Sequence, residues 1–375
     1  VSIPKYRLPR EKLDADIEAI KNAGVKFKTK TAFGKKISID SLFSDGYKAI
    51  FISVGAHKSM PLKIPGVDAK QVIPSLKFLE AVNLGKKIKI GKRIGIIGGG
   101  NSAIDSARVA HRLDNVEKVI VIYRRTRAEM PAYKEEVDAA IEEGIEIQFL
   151  TAPGKVVTKK GKVAGIECIR MQLGEPHESG RKKPGPVKGS EFIIEVDTLI
   201  SATGEKPDTS FLKKQGLEIS ARNTLLADPE TLATSREGVF AGGDAVTGPK
   251  TVIDAISAGK RAAESIDRFL RGESLQREYN VTRPSLYIEP VELTDEEIDS
   301  ASRGKMPHLT VKERAKNFKE VDLGYTEEIA VREARRCLRC DMGTEDGTKA
   351  LERMRKKKQL ESETIDTEHI ATEKI

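Results

Sequence analysis

Apolar residues along this chain come in short bursts that alternate with charged, helix-forming stretches. "YKAIFISVGA" (47–56) reads as a buried strand running into a glycine turn, and "GKRIGIIGGG" (91–100) as a second. "EKVIVIYRR" (117–125) and "IEIQFL" (145–150) continue the series. Between them, "NSAIDSARVAHRL" (101–113) and "PAYKEEVDAAIEEG" (131–144) have helical character. A further helix is expected over "LPREKLDADIEAIKNAG" (8–24), with Leu13, Ile17 and Ile20 on one face and Gly24 as its stop. "MPLKIPGVD" (60–68) is proline-rich and reads as a linker. Two strand-like runs, 161–173 and 190–204, are joined by "GEPHESGRKKPGPVKG", which reads as an exposed hairpin loop. Strands alternating with helices predict an α/β fold with a parallel sheet and crossover helices. One echo stands out: "AIFISVGAHKSMPLKIPG" and "TLISATGEKPDTSFLKKQG" both run strand, glycine turn, then a Lys/Pro segment.

Two glycine clusters carry chemistry. In "GIIGGGNSA", Gly98, Gly100 and Ala103 fit G-x-G-x-x-A between a strand and a helix. The first glycine allows a tight turn, the second lets the backbone approach a pyrophosphate, and the small third residue lets helix and strand pack closely. The helix beginning at Asn101 and Ser102 would point free N–H groups at the phosphates. An NAD site favours an acidic residue at the end of the next strand. Here that strand ends in Arg124 and Arg125, with Arg127 close behind. Guanidinium forks match a 2′-phosphate, so NADP(H) is the expected nucleotide.

The second cluster, "VFAGGDA" (239–245), ends a short strand in Gly242, Gly243 and Asp244 and precedes the helical run that Thr251 opens. Strand, Gly-Asp, helix resembles the C-terminal flavin motif of flavoproteins with two dinucleotide folds. In that family the aspartate bonds the flavin ribityl chain and the helix N-terminus faces the ring system.

With these motifs together, "YRLPREKLDADIEAIKNAGVKF", "GGGNSAIDSARVA", "YRRTRAEMPA", "ATGEKPD" and "GGDAVTGPKTVIDAISAG" resemble the small subunit of NADPH-dependent glutamate synthase and related flavoprotein subunits. The resemblance covers roughly residues 2–275. It implies two Rossmann-like dinucleotide-binding domains, with the nicotinamide domain inserted in the FAD domain and the echoing segments as crossovers. By that pattern residues 1–65 and 205–275 belong to the FAD domain, 66–204 to the NAD(P)H-binding domain, and 276–375 form a C-terminal extension. Gly204, Gly243, Asp244 and Thr251 become cofactor contacts. The family's N-terminal iron–sulfur segment and first FAD-binding strand have no counterpart here. The chain therefore reads as a fragment or split gene, or as one whose missing half another polypeptide supplies.

Beyond 276, "EARRCLRCD" places Cys337 and Cys340 as C-x-x-C after a helix. Two thiolates at this spacing can face one iron, and an iron–sulfur cluster would draw its other ligands from elsewhere. Cys168 stands alone on an expected strand and reads as a small core residue. With three cysteines there is no disulfide scaffold, and a cytoplasmic setting is expected. No apolar run reaches the roughly 18 residues of a membrane span. The net charge of +8 suits a phosphate-bearing ligand or an acidic protein face, or is a lysine-rich solvated surface. No nucleic-acid partner is expected.

The function these features imply is a flavin-dependent NAD(P)H oxidoreductase. It would pass electrons from NADPH through FAD to iron–sulfur or ferredoxin-like partner subunits of a hetero-oligomer. No side chain is nominated as acid or base. The competing reading is a non-catalytic nucleotide-binding scaffold with a degenerate flavin site.

Overall fold

The computed structural model describes residues 2–176, 182–276, 292–299, 302–335, 337, 345 and 347–356. The chain opens with helices α1 (Arg10–Asn22) and α2 (Ile39–Ser44), then strands β1 (Ile50–Ile52), β2 (Lys58–Ser59) and β3 (Val72–Pro74) and helix α3 (Ser75–Asn83). A βαβαβ run follows: β4 (Arg93–Ile97), α4 (Asn101–His111), β5 (Lys118–Ile122), α5 (Lys134–Glu142), β6 (Glu146–Gln148). Next come strands β7 (Thr151–Lys159), β8 (Lys162–Pro176), β9 (Lys182–Pro186), β10 (Phe192–Ile194), β11 (Thr198–Ser201) and β12 (Glu205–Lys206). Helix α6 (Ser210–Lys213), strand β13 (Val239–Ala241), and helices α7 (Asp244–Thr247) and α8 (Val252–Leu270) complete this stretch. Three more helices follow, α9 (Asp295–Asp299), α10 (Val311–Arg314) and α11 (Glu327–Arg335).

The central sheet is parallel, in the order β3-β11-β4-β5-β6. Its strands are near-continuous apolar runs because both faces are covered. Side chains alternate between the faces. Ile94, Ile96, Val119 and Val121 meet Phe78, Ile104 and Val137 from α3, α4 and α5. Ile97, Ile120, Ile122 and Leu199 meet Val156, Val163, Ile166 and Cys168 on the other side. These last four lie on β7 and β8, which form an antiparallel sheet with β10, and β9 pairs with β8. A smaller body is built on the parallel pair β1–β13, with Ile39, Leu212, Leu217 and Leu225 in its core and α8 packed on Phe51 through Ala258.

Several elements differ from their sequence reading. The run 190–204 is two strands in different sheets, because the chain turns at Val196 and Asp197 after pairing with β8 and enters the parallel sheet beside β4. Asp197 marks the switch: its backbone N–H donates to the Arg93 carbonyl (2.8 Å) and its carboxylate takes the Arg93 guanidinium. The stretch expected to be a hairpin loop contains β9, paired in register with β8; residues 177–181 lie outside the described residues. Strand β7 was not anticipated, since Pro153 and Gly154 look like turn residues; the register shift there absorbs them. The presumed linker 60–68 packs down, with Leu62, Ile64 and Val67 against the second core and the Pro65 carbonyl accepting from Val156 N–H (2.9 Å). Helix α1 forms as expected but buries no residue, and Ile20 is 48% exposed. The two echoing segments meet: β2 and β12 pair antiparallel, and Met60 N–H donates to the Gly204 carbonyl at 2.8 Å.

The described residues of Val1–Gln276 and Leu309–Val321 form one compact unit. Segment 309–321 is tied in by Val321 N–H to the Tyr6 carbonyl (3.1 Å) and by Arg112 Nε to the Asn317 carbonyl (3.0 Å). The second unit, Arg277–His308 with Asp322–Ile375, is held internally by Arg335–Glu297 (2.8 Å) and His308–Asp322 (2.8 Å) contacts. Among the described residues no helix is long and apolar enough to cross a membrane.

Candidate functional site

The loop after β4 needs two of its glycines for different reasons. Gly98 has φ +145°, and a Cβ there would lie 2.3 Å from the Ala202 carbonyl oxygen. A Cβ on Gly99 would strike the Tyr123 ring. Gly100 faces open space, with nothing within 4 Å of its would-be Cβ. Gly100 is also the N-cap of α4 and supplies no side-chain cap, so the first-turn N–H groups have none from that position. Ala103 is fully buried, as a tight helix–strand contact requires.

A cleft of about 490 Å³ opens above this loop. It is lined by Gly98, Gly100, Tyr123, Arg124, Arg125 and Gly204, among others. Arg125 is half-buried, and its Nε–H donates to the Lys182 carbonyl of β9 at 2.9 Å, which fixes the side chain. Neither Arg124 nor Arg125 has a carboxylate partner in an ion pair among the described residues. Arg127, the third arginine of the run, is instead paired with Asp138. Two unneutralised guanidiniums at one end of a cleft form an anion site.

A second cleft, about 460 Å³, shares Gly100, Pro131, Ala202 and Gly204 with the first. Asn101, Ser102, Asp105, Glu205 and Thr251 line it as well. The two clefts therefore form one groove that crosses the N-terminus of α4. The far end carries the carboxylates Asp105 and Glu205 alongside the cations Arg7 and Lys250. Burial lifts the Asp105 carboxyl to about 6, against the pull of Arg7, which donates to both carboxylate oxygens (3.0 and 3.1 Å). Burial also raises the Glu205 pKa; the nearby Ser102 hydroxyl opposes the rise, and the charge of Asp244 adds to it. Glu205 Oε1 is buried with no hydrogen-bond partner. The Asn101 side-chain oxygen accepts from Tyr133 N–H at 3.0 Å, and both residues line this cleft.

The second glycine cluster ends β13. A Cβ on Gly242 would press on Phe51 and Ala258, each about 3 Å away, and Gly243 takes φ +65°. Asp244 Oδ1 accepts from Lys250 N–H (3.0 Å), closing a tight loop ahead of α8. Thr251 and Asp254 cap α8 reciprocally. The first turn of α8 presents Val252, Ile253 and Ile256 to solvent, with Ile253 73% exposed.

The structure thus gathers Gly98, Gly100, Arg124, Arg125 and Gly204 along one half of the groove and Asn101, Ser102 and Thr251 along the other. Gly243 and Asp244 lie next to that second half, within electrostatic reach of Glu205. Cys337 is exposed, and Cys340 lies outside the described residues. Among the described residues no three His, Cys, Asp or Glu side chains are grouped to hold a metal. Sequence reasoning missed Glu205, Asp105 and Tyr123. The signal for Glu205 was an acidic residue directly after a strand-ending glycine, in "ATGEKPD".

Comparison with known proteins places this geometry. The model of the pyridine nucleotide-disulphide oxidoreductase family matches residues 6–259. The chain belongs to that family. It is 42% identical over 354 residues to the NADP(+)-dependent formate dehydrogenase subunit beta of Moorella thermoacetica, covering 91% of this chain and 49% of that one. Identity to the NADPH-Fe(3+) oxidoreductase subunit beta of Geobacter sulfurreducens is 40% over 371 residues (91% and 55% covered). Identity to the glutamate synthase [NADPH] small chain of Escherichia coli is 35% over 285 residues (72% and 60%). The resemblance drawn from the motifs is borne out, and the chain spans about half the length of the curated relatives it matches most extensively. Among solved structures, Mycobacterium tuberculosis FprA in complex with NADPH superposes with a TM-score of 0.53 at 18% identity, over 64% of this chain and 67% of that one. That likeness is one of fold: α/β, with two dinucleotide-binding units.

Proposed function

We propose that this chain is the NADPH- and FAD-binding part of an oxidoreductase that delivers electrons to iron–sulfur partner subunits. The observation that carries the reading is the pair Arg124 and Arg125, without carboxylate partners, at one end of a groove floored by Gly98 and Gly100. The residues present suit NADP(H). Gly100 leaves room for a pyrophosphate against the backbone, the α4 N-terminus favours its charge, and the arginines match a 2′-phosphate. They also suit a flavin on the other side: Gly243 and Asp244 form a backbone turn beside the open apolar first turn of α8, where Thr251 is the cap. Bound together, the nicotinamide and flavin supply hydride chemistry. The chain's own residues bind and orient them: Arg125 is held by β9, and Gly98 sets the loop against β11. Cys337 and Cys340 are proposed to give two thiolates to an iron–sulfur centre completed by other groups. The names of the relatives, two of them beta subunits of NADP-dependent redox enzymes, support a place in a larger complex.

Calorimetric titration of NADPH and NADH into the wild type and Arg124→Ser/Arg125→Ser tests the reading. Losing a hydrogen bond to a charged group costs about 1.5–3 kcal/mol. NADPH affinity should therefore fall roughly 10- to 150-fold while NADH affinity holds. Equal losses for both nucleotides would overturn the assignment.

A further inference from the structure

The two halves of the groove differ in the charges they present, and this has a consequence beyond where the nucleotide sits. The argument rests on the NADPH reading above. At the basic end Arg124 and Arg125 await a phosphate. At the other end Asp105 and Glu205 line the cleft together with Arg7 and Lys250, and Asp244 lies nearby. Arg7 donates to both Asp105 oxygens, and Asp244 accepts from the Lys250 N–H. Glu205 is different: its half-buried carboxylate forms no ion pair among the described residues, and Oε1 is buried with no hydrogen-bond partner. A partly desolvated, unpaired carboxylate charge is costly. A ligand in this end of the groove therefore gains by bringing a positive charge near Glu205.

With the 2′-phosphate at the arginines and the pyrophosphate across α4, the end of the dinucleotide left for the half that holds Glu205 is the nicotinamide. Its ring is neutral in NADPH and cationic in NADP+. The cation appears when the ring gives up a hydride, two electrons and one proton moving together as H⁻, to an acceptor such as a flavin. We propose that Glu205 acts as the counter-charge to the nicotinamide cation, so that this site holds NADP+ more tightly relative to NADPH than it would without the carboxylate. Glu205 takes no proton or hydride. It is a positioning residue whose charge makes hydride donation by the bound nucleotide more favourable.

The test is calorimetry on the full chain with NADP+ and with its neutral, non-donating tetrahydro form, for the wild type, Glu205→Gln and Glu205→Asp. Glu205→Gln keeps the shape and removes the charge. It should weaken NADP+ by about five- to tenfold, the size expected for a partly screened charge pair. It should leave the tetrahydro form nearly unchanged. Glu205→Asp keeps the charge and should preserve the wild-type preference; if the Gln variant fails to fold, Glu205→Ala, which also removes the charge, carries the test and should show the same selective loss of NADP+. Equal weakening of both nucleotides, or no change in either, would overturn the proposal. A wild type that binds neither nucleotide would instead remove the NADPH reading and this inference with it.

Discussion

Replacing Glu143 by Gln should be among the most damaging isosteric changes in this protein. The Glu143 side chain is 0% exposed and touches three guanidiniums. Arg108 donates to it through Nη2 (2.6 Å), and Arg112 through Nη1 (2.8 Å) and Nη2 (3.0 Å). Arg314 lies 3.4 Å away. Arg108 would keep its contact with Glu136, and Arg314 its contact with Glu142. Arg112, itself 0% exposed, would be left with backbone carbonyls and no carboxylate. Breaking a buried charge pair costs about 3–5 kcal/mol because the surviving charge stays desolvated. The glutamine oxygen still accepts one hydrogen bond, which places the expected loss near 3 kcal/mol. Urea unfolding followed by circular dichroism measures it as a lowered midpoint. Hydrogen exchange should show 309–321 losing protection as well, since Arg112 and Arg314 hold that segment. The pH dependence has a definite sign. Burial works to raise the Glu143 pKa, but the hydrogen bonds from Arg112 and Arg108 hold it below the usual 4.5. A depressed carboxylate stabilises above its unfolded value, so the gap between wild type and variant should be full above pH 4.5 and close as the pH falls. A loss under about 1 kcal/mol at neutral pH would refute the reasoning.

Two further outcomes are expected. Tyr6→Phe should be neutral or raise stability by up to about 1 kcal/mol, because its hydroxyl is buried without a partner while its ring, which carries the Arg108 and Arg112 guanidiniums 4.7 and 4.4 Å from its centre, is retained; a clear drop in melting temperature would show a hidden bond. In the folded chain without an iron–sulfur centre bound, a maleimide should label exposed Cys337 and spare Cys168, which is 1% exposed and whose thiol burial pushes to about 12; rapid labelling of Cys168 in the folded chain would contradict its place in the core.

The parallel sheet was readable because its code is local: apolar runs ending in glycine, each followed by a helix, as at Ile94–Gly98 and Asn101–His111. The arginine pair was readable for the same reason, since it directly follows β5. Features set by contacts distant in sequence were not. Strand β7 hides behind Pro153 and Gly154, and its place is decided by the face of the parallel sheet that it covers. The division of 190–204 between two sheets depends on Arg93, about a hundred residues earlier, binding Asp197. The pairing of Arg127 with Asp138, which sets it apart from Arg124 and Arg125, spans a loop and a helix. The second half of the groove draws on the N-terminal segment at Arg7, α4, β12 and the loop before α8, and no window of sequence contains them all.

The charge cluster under Tyr6 also bears on where this protein can be cut. The match to the family model ends at residue 259, inside α8 (Val252–Leu270), before buried Ala262 and Ser265. A fragment ended there would lose that helix's last turns, and with them Arg314 and the Asn317 carbonyl that close over Arg112 and Glu143. Ions now sealed from water would then face it with their partners missing. Among the described residues, the unit that keeps these buried ions matched includes 309–321, so the boundary drawn by burial lies well beyond the end of the family model's match.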